Sequence, residues 1–354
     1  MININERTIV DEETSLNSST TSTNGVEIMT LPEFEEDISA SLRDTTRFSH
    51  IILQSRQFVD GQRCRELFGR LAGIQAKRLI LNIDASARKN FDREFNSSVV
   101  TEDRTIRNTH TQYSSIPILG NYVGRNHVRM IVLGEEAYIS SFDFAEPSFD
   151  RDELFIKISH PELVQMTKIV SMWNYESRLD HWKTSAAGYD LIFDTGKTNK
   201  GYVSKYAEKE LESRGLPGTK IWMVSSWHPD KLISALNRVE ERDCELNLLV
   251  NKQYEYEGMK KIPFNLTKIA SQKYFMRRKE DGKCNIYNPA NQQMHGKLVL
   301  IENGDQIWWL VGTDNFTNFG SNAKTTEIAI AGDNKGVGRQ LRDYIEGIDK
   351  IKVH

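Results

Sequence analysis

Two segments of the sequence carry side chains suited to chemistry on a phosphate group. In the later one, His295 and Lys297 stand two residues apart at the start of an apolar run, so on a strand both point to the same face. Thr313 and Asn315 follow the next apolar run in the same alternation and can offer a hydroxyl and an amide to phosphate oxygens. Glu327 opens a third run and can accept a hydrogen bond from the ring of His295. Together they predict a phosphate site with a nucleophile.

A single such set could equally be a buried core histidine beside a lysine whose stem packs along the core. Repetition favours the functional interpretation, because the same residue types occur in the same order earlier in the chain, at His127, Arg129, Ser141, Asp143 and Glu153. Two-fold repeats place equivalent elements on either side of a pseudo-dyad, so the two imidazoles are expected on the order of 5–7 Å apart across one cleft. One could attack phosphorus while the other protonates the leaving oxygen, with Arg and Lys neutralising the phosphoryl charge.

The surrounding elements repeat as well. Residues 50–84 and 220–251 each contain a short apolar run, a polar turn ending at Asp60 or Asp230, an amphipathic helix and a second buried run. Strand, helix and strand within about thirty residues form a βαβ unit with a parallel strand pair. The sequence therefore predicts an α/β fold of two pseudo-symmetric halves, each a mixed, mainly parallel sheet flanked by helices, with the active site at their interface.

The domain limits follow from composition and from the repeat. Residues 1–30 are polar and rich in Ser and Thr, which predicts a flexible tail. The first half is predicted to span residues 31–185 and the second half residues 186–354.

Composition excludes several classes of protein. The chain has 354 residues with 46 Lys and Arg against 49 Asp and Glu, a net charge of −3, which argues against binding nucleic acid by bulk charge. No run approaches the roughly 18–20 apolar residues of a membrane span, and the N-terminal residues lack the pattern of a secretory signal. Three cysteines without a CxxC spacing argue against a disulfide scaffold or a zinc site. These features predict a protein of the reducing cytoplasm without a transmembrane segment.

The motifs HGK…GTDN…E and HVR…SSFD…E resemble those of the phospholipase D superfamily, which has HxK, an Asp after four further residues, and then GSxN or a close variant. The resemblance covers about residues 48–347. Within the superfamily the segments after each motif, GTDNFTNFGSNAKTTEIAIA and AYISSFDFAEPSFDRDELFIKI, look most like those of the bacterial cardiolipin synthase branch.

The resemblance implies metal-independent phosphodiester chemistry through a phosphohistidine, with no cofactor and with an alcohol or water as acceptor. It implies that His127 is the nucleophile and His295 the general acid. The remaining positions divide into phosphate-binding residues, which are Arg129, Lys297, Ser141, Thr313, Asn315 and Asp143, and residues that orient the imidazoles, which are Glu153 and Glu327.

The first motif departs from the family pattern. Arg129 replaces Lys, Ser140 replaces Gly, and Gly134 and Glu302 occupy the positions of the motif Asp in the two halves. Asp143 replaces Asn, and its carboxylate would repel a phosphate unless it is protonated or paired with Arg129. The first half-site is thus the eroded one, which favours a slow enzyme, a nucleophilic histidine in the second half, or a protein that binds phosphate without turnover.

The leading hypothesis is a phosphatidyltransferase or phospholipase acting on a glycerophospholipid headgroup, peripheral at the inner face of the membrane. The first alternative is a nuclease of the same superfamily, suggested by a basic cluster at Lys273, Arg277, Arg278 and Lys279, for which a solvated surface is the simpler interpretation. The second alternative is a catalytically weak or dead homologue that binds phosphate or lipid.

Overall fold

We describe the chain from a computed structural model. The residues that it describes are 24–43, 50–55, 58–59, 61–73, 79–83, 104–108, 127–172, 181–196, 201–252, 262–317 and 325–353. They form two large sheets with helices packed against them, and two short two-stranded pairings. Asp60, predicted to end the turn of the first βαβ unit, lies outside the described residues.

The first half is built on a sheet of seven strands. The strands of this half are β1 Val26–Met29, β2 Ile51–Ser55, β3 Phe58–Val59, β4 Leu79–Ile83, β5 Arg104–Asn108, β6 Met130–Leu133, β7 Glu136–Ser140, β8 Phe144–Ala145, β9 Arg151–Asp152 and β10 Phe155–Ile158. The large sheet has the order β1-β10-β7-β6-β2-β4-β5. Strands β2, β4 and β5 are mutually parallel, as the predicted βαβ unit requires.

The second half is built on a sheet of nine strands. Its strands are β11 Trp182–Ala186, β12 Tyr189–Asp194, β13 Lys220–Ser225, β14 Glu245–Val250, β15 Asn285–Pro289, β16 Gln293–Met294, β17 Leu298–Asn303, β18 Gln306–Gly312, β19 Glu327–Gly332 and β20 Lys350–Lys352. The large sheet has the order β11-β12-β19-β18-β17-β13-β14-β15-β20. From β12 to β15 it repeats the first sheet strand for strand, which confirms the two pseudo-symmetric halves.

Both sheets are mixed, but antiparallel neighbours outnumber parallel ones, whereas the sequence predicted mainly parallel sheets. The reason lies in the strands that carry the motifs. Two-residue turns join β6 to β7 and β17 to β18, and such turns force antiparallel pairing. Gly134 and Gly304 begin these turns with φ of 59° and 56°, a left-handed conformation that favours glycine. Gly134 therefore stands at the motif position because the chain turns there.

Helices cover the sheets in distinct layers. Their bounds are α1 Leu31–Arg43, α2 Gln62–Gly73, α3 Pro161–Met172, α4 Tyr202–Arg214, α5 Ile233–Glu240, α6 Ile262–Glu280 and α7 Lys335–Gly347. The apolar residues of α2 recur at Cys64, Leu67, Phe68 and Leu71, one face of a helix, and all are fully buried with α1 against the first sheet. Helices α4 and α5 bury an equivalent face on the second sheet.

One apolar core joins the two halves. It contains Ile139 and Ile156 from the first sheet, Val311 and Ile330 from the second, and residues of α3 and α7. Truncating a side chain in such a core to alanine costs about 2–5 kcal/mol. The motif strands of both halves thus lie against a shared and closely packed interior, which keeps their ends in a defined relation.

Two predicted limits shift in the structure. Strand β1 pairs with β10 through Val26–Ile158, so ordered chain begins inside the predicted tail of residues 1–30. Strand β11 pairs with β12 and crosses the limit predicted between residues 185 and 186. The domain division itself stays a prediction.

Candidate active site

The two motif histidines stand just before equivalent strands, His127 before β6 and His295 before β17. Each is tied to the other half through its backbone. The N–H of His127 donates to the carbonyl of Thr326 at 3.0 Å, and the N–H of His295 donates to the carbonyl of Asp152 at 3.0 Å. Each acceptor immediately precedes a motif glutamate, so these bonds bring the glutamate of one half to the histidine of the other.

The imidazole contacts are crossed between the halves. Nδ1 of His127 lies 2.9 Å from Oε1 of Glu327, and Nδ1 of His295 lies 2.9 Å from Oε1 of Glu153. The sequence analysis paired Glu327 with His295 in the same half, and that pairing is wrong. The glutamates do meet the histidine rings, as predicted, but only across the interface. With each Nδ1 engaged by a carboxylate, Nε2 is the nitrogen on the opposite side of each ring.

The motif hydroxyls lie against the glutamates. Ser141 Oγ donates to Glu153 Oε2 and accepts from the N–H of Leu154 at 3.0 Å. Thr313 Oγ1 donates to Glu327 Oε2 at 2.5 Å. A hydroxyl has one proton to donate, so neither hydroxyl can donate to a phosphate in this arrangement. In this arrangement both hydroxyls hold the carboxylates, and the phosphate contacts of Ser141 and Thr313 stay a prediction.

Arg129 is buried and paired with Asp143. Its Nε and Nη2 lie 2.8 and 2.9 Å from the two carboxylate oxygens, with Nη2 aligned as the hydrogen-bond donor. Nη2 also lies 3.5 Å from Nε2 of His127. Burial alone would lower the pKa of Arg129, but Asp143 outweighs it and raises the pKa. The carboxylate that departs from the family pattern is therefore neutralised by the arginine that also departs from it.

Lys297 is the cation of the second half, and its side chain is fully buried. Its Nζ donates to the carbonyl of His295 at 2.5 Å, and within the described residues no carboxylate oxygen lies within 4.0 Å of it. Burial and the nearby charge of Arg129 lower the pKa of Lys297. An anion entering the site would meet this desolvated ammonium first, because the charge of Arg129 is already shared with Asp143.

Burial also sets the ionisation of the second histidine and its carboxylate. Burial, followed by the charges of Lys297 and Arg129, lowers the pKa of His295 well below its usual range. Burial raises the pKa of Glu153 against the opposing effect of Lys297. His295 is therefore a neutral imidazole in the resting protein at neutral pH.

The amide of Asn315 is the remaining motif group. Its backbone carbonyl accepts from Ser225 Oγ at 2.9 Å, which anchors the residue beside β13. Its side-chain Oδ1 is buried and makes no hydrogen bond in the described part of the chain. A buried carbonyl oxygen of this kind needs a hydrogen-bond donor.

Residues 217–348 match the family described as "Cardiolipin synthase, PLD-like domain". This range contains the whole second motif, from His295 to Glu327. Residues 217–348 therefore resemble a phospholipase D-like domain.

Two solved structures share the fold of this chain along most of its length. Phosphatidylserine synthase from Haemophilus influenzae Rd KW20 has a TM-score of 0.66 and 10% sequence identity, covering 93% of this chain and 87% of its own. Polyphosphate kinase from Porphyromonas gingivalis has a TM-score of 0.55 and 12% identity, covering 91% of this chain and 50% of its own. No curated protein sequence matches the chain.

Sequence reasoning missed two groups that support the candidate site. Tyr344 of α7 lies behind the second motif, where a Cβ on Gly296 would meet its hydroxyl at 2.8 Å. This close approach explains a glycine between His295 and Lys297. The second group is a buried ionic cluster around Lys231. Its only sequence signal was the Asp within the GTDN segment.

The basic cluster predicted at Lys273 to Lys279 lies on α6. Arg278 is taken up by Glu240 at 2.6 Å, while Lys273 and Arg277 are exposed. At the motif Asp position of the second half, Glu302 accepts from Nε of Arg342 at 2.7 Å, a contact away from the histidines. Among the described residues, no helix combines the length and the apolar character needed to cross a membrane.

Proposed function

We propose that the protein catalyses phosphodiester transfer or hydrolysis through a phosphohistidine, acting on a glycerophospholipid headgroup. One observation carries the proposal. Two histidines from different halves, each with Nδ1 held by a glutamate, adjoin the buried cations Arg129 and Lys297. Such a site has two Nε2 atoms for the two sides of a phosphorus centre, and the positive charge of Lys297 for its oxygens.

In the first half-reaction Nε2 of His127 attacks phosphorus. The P–N bond forms as the bond from phosphorus to the leaving oxygen breaks, and His295 gives its proton to that oxygen. In the second half-reaction His295 takes the proton of an alcohol or water, whose oxygen attacks the phosphohistidine and releases His127. Lys297 neutralises charge on the phosphoryl oxygens in both steps.

The lowered pKa of His295 fits this sequence of events when the substrate is considered. The charges of Lys297 and Arg129 depress this pKa in the empty site. A bound phosphodiester anion offsets both charges, so the pKa of His295 rises and the ring takes up the proton that it later donates. The general acid is thus formed by binding.

Lipid is supported as the substrate class by the comparisons. The family that matches residues 217–348 is described as "Cardiolipin synthase, PLD-like domain". Of the two solved structures with a similar fold, the one with the higher TM-score is a phosphatidylserine synthase. The protein would work at the inner face of the membrane as a peripheral, cytoplasmic protein, with the exposed Lys273 and Arg277 of α6 as a contact for anionic headgroups.

The test is incubation with phosphatidylglycerol vesicles and, separately, with single-stranded DNA, both in EDTA. We expect headgroup exchange or release of phosphatidic acid, and a loss of about 10²–10⁴-fold for His127→Ala and for His295→Ala. His160→Ala, outside the site, is the matched control and keeps the wild-type rate. Acid-labile phosphate should be trapped on His127.

Other outcomes separate the alternatives. DNA cleavage with inert vesicles makes the protein a nuclease and rejects the lipid proposal. A rate that vanishes in EDTA contradicts the metal-independent mechanism. Label trapped on His295 instead of His127 exchanges the roles of the two rings.

A second candidate function, a phosphate-binding protein with little or no turnover, is favoured by the ion pair of Arg129 with Asp143. This pair withdraws one cation from the substrate. Anion binding without turnover of either substrate would support this function over catalysis.

A further inference from the structure

A buried ionic cluster lies behind the site, outside both motifs. Lys231 belongs to the short helical turn Asp230–Leu232 that follows β13, and its Nζ lies 3.6 Å from Oδ1 of Asp314. The side chain of Lys231 is 21% exposed and that of Asp314 only 4%. Asp314 stands between Thr313 and Asn315 in the second motif, so the cluster is directly connected to the site.

Several hydrogen bonds determine where this ammonium group lies. Asp314 accepts from Ser204 Oγ at 2.6 Å and from the N–H of Phe316 at 2.8 Å. The backbone N–H of Lys231 donates to the carbonyl of Phe316 at 3.0 Å. The turn of Lys231 and the loop of Asp314 are thus joined twice, once through backbone and once through charge.

The cluster holds more negative than positive charge. Lys231 interacts with Asp314, Glu327 and Asp194, which together raise its pKa although burial opposes the rise. Asp194 lies opposite Glu327 in the pairing of β12 with β19, and burial raises its pKa to about 6. One ammonium therefore serves three buried carboxylates. Without it, at least one of them would be expected to bind a proton.

Among its described residues, the first half has no equivalent of this cluster. The repeat places Gly61 at the position of Lys231 and Phe142 at the position of Asp314. Phe142 is buried in an aromatic group with Phe144 and Phe149. The ionic cluster consequently acts on Glu327 alone, and Glu327 is the partner of His127.

We propose that Lys231, held in place by Asp314, is a positioning residue that keeps Glu327 a carboxylate, so that His127 carries its ring proton on Nδ1 and has its unprotonated nitrogen at Nε2. A carboxylate can accept from Nδ1–H, whereas a protonated Glu327 would favour the tautomer with the proton on Nε2. The inference rests on the proposed role of His127 and adds the residue that prepares its nucleophilic nitrogen.

A purely structural role for Lys231 makes a different prediction. Removing a structural ion pair would lower stability while leaving the tautomer of His127 unchanged. The ring nitrogens of the full chain labelled with ¹⁵N-histidine distinguish these cases in ¹H–¹⁵N spectra, without any substrate. His295, held by Glu153 in the other half-site, serves as the internal reference.

In Lys231→Met we expect the Nδ1–H fraction of His127 to fall about twofold or more at neutral pH, with the tautomer of His295 unchanged. Lys231→Arg, which keeps the charge, should restore the wild-type spectrum. Lys183→Met is the matched control, because Lys183 pairs with Asp190 at the far end of β12 from Glu327. This control should leave both rings as in the wild type.

If Lys231→Met does not fold, the double variant Lys231→Met with Asp314→Asn removes the pair without leaving an isolated buried charge. The same fall in the Nδ1–H fraction is expected there. An unchanged His127 tautomer in either folded variant overturns the inference. A shifted tautomer in a protein that turns over neither lipid nor DNA keeps the inference and rejects the proposed function.

Discussion

Nδ1 of His295 lies 2.9 Å from Glu153, which is 142 residues earlier in the chain and belongs to the opposite half. Because of this crossed contact, neither half contains both a motif histidine and the glutamate that holds it. Each half has its own histidine and cation, but the carboxylate at Nδ1 of its histidine comes from the other half. The two halves can therefore be coupled chemically although their motifs are 168 positions apart.

The crossed contact predicts which ring responds to which glutamate. Glu153→Gln should perturb the ¹⁵N shifts of His295 and leave those of His127 unchanged, because an amide cannot supply the anionic acceptor that Nδ1–H uses. Turnover should fall roughly 10²–10⁴-fold, as when the orienting acid of a histidine is neutralised. Ring spectra and initial rates measure the two effects.

Glu136→Gln is the control for this prediction, since Glu136 lies in the same half and pairs with Lys157 rather than with a histidine. A response of His127 instead of His295 would contradict the crossed arrangement.

The two cations are predicted to contribute unequally to anion binding. Lys297→Gln should weaken sulfate binding about tenfold or more, because it removes a buried charge that no carboxylate shares. The double variant Arg129→Gln with Asp143→Asn should change it much less, since that pair is close to neutral as a unit. Calorimetric titration with sulfate measures both. Equal losses would show that Arg129 still offers its charge to ligands.

Asp143→Asn is predicted to strengthen sulfate binding about tenfold while lowering stability by about 1–3 kcal/mol. The gain comes from releasing the charge of Arg129, and the loss comes from leaving a buried guanidinium without its anion. Titration and urea unfolding measure the two changes. Glu302→Gln, which breaks a pair with Arg342 away from the site, should affect stability alone. Weaker sulfate binding by Asp143→Asn would count against release of the arginine.

Anion binding is predicted to take up a proton near and below pH 6.5. The pKa of His295 lies well below 6.5 in the empty site and rises when an anion offsets Lys297 and Arg129. Between the empty and the bound pKa the complex holds one proton more, so affinity should increase as pH falls through that window. Sulfate titrations in buffers of different ionisation enthalpy count the protons. Lys297, whose pKa burial and Arg129 lower to about 7, takes up a proton by the same argument near neutral pH. His295→Gln should therefore remove the uptake at the acidic end of the range only, and an unchanged uptake there would assign it to another group.

The motif residues and their repetition could be predicted from the sequence alone. The spacing of His295 and Lys297, the alternation at Thr313 and Asn315, and the recurrence of these types earlier in the chain predicted two equivalent halves. The helical spacing in α2 and the turn at Gly304 likewise depend on neighbours in sequence. These features could be inferred because side-chain periodicity follows directly from backbone geometry.

The residues that contact the motif side chains could be identified only from the tertiary structure. Glu327 meets His127 rather than His295 because a shared core holds the two halves together and brings strand ends of opposite halves side by side. Asp143 meets Arg129 within the first half. Lys231 reaches Asp314 within the second half, because the turn after β13 lies beside the loop after β18. Spacing along a strand predicts which side chains lie on the same face. Only the packing of one half on the other decides which side chain of the opposite half Glu327 or Glu153 contacts.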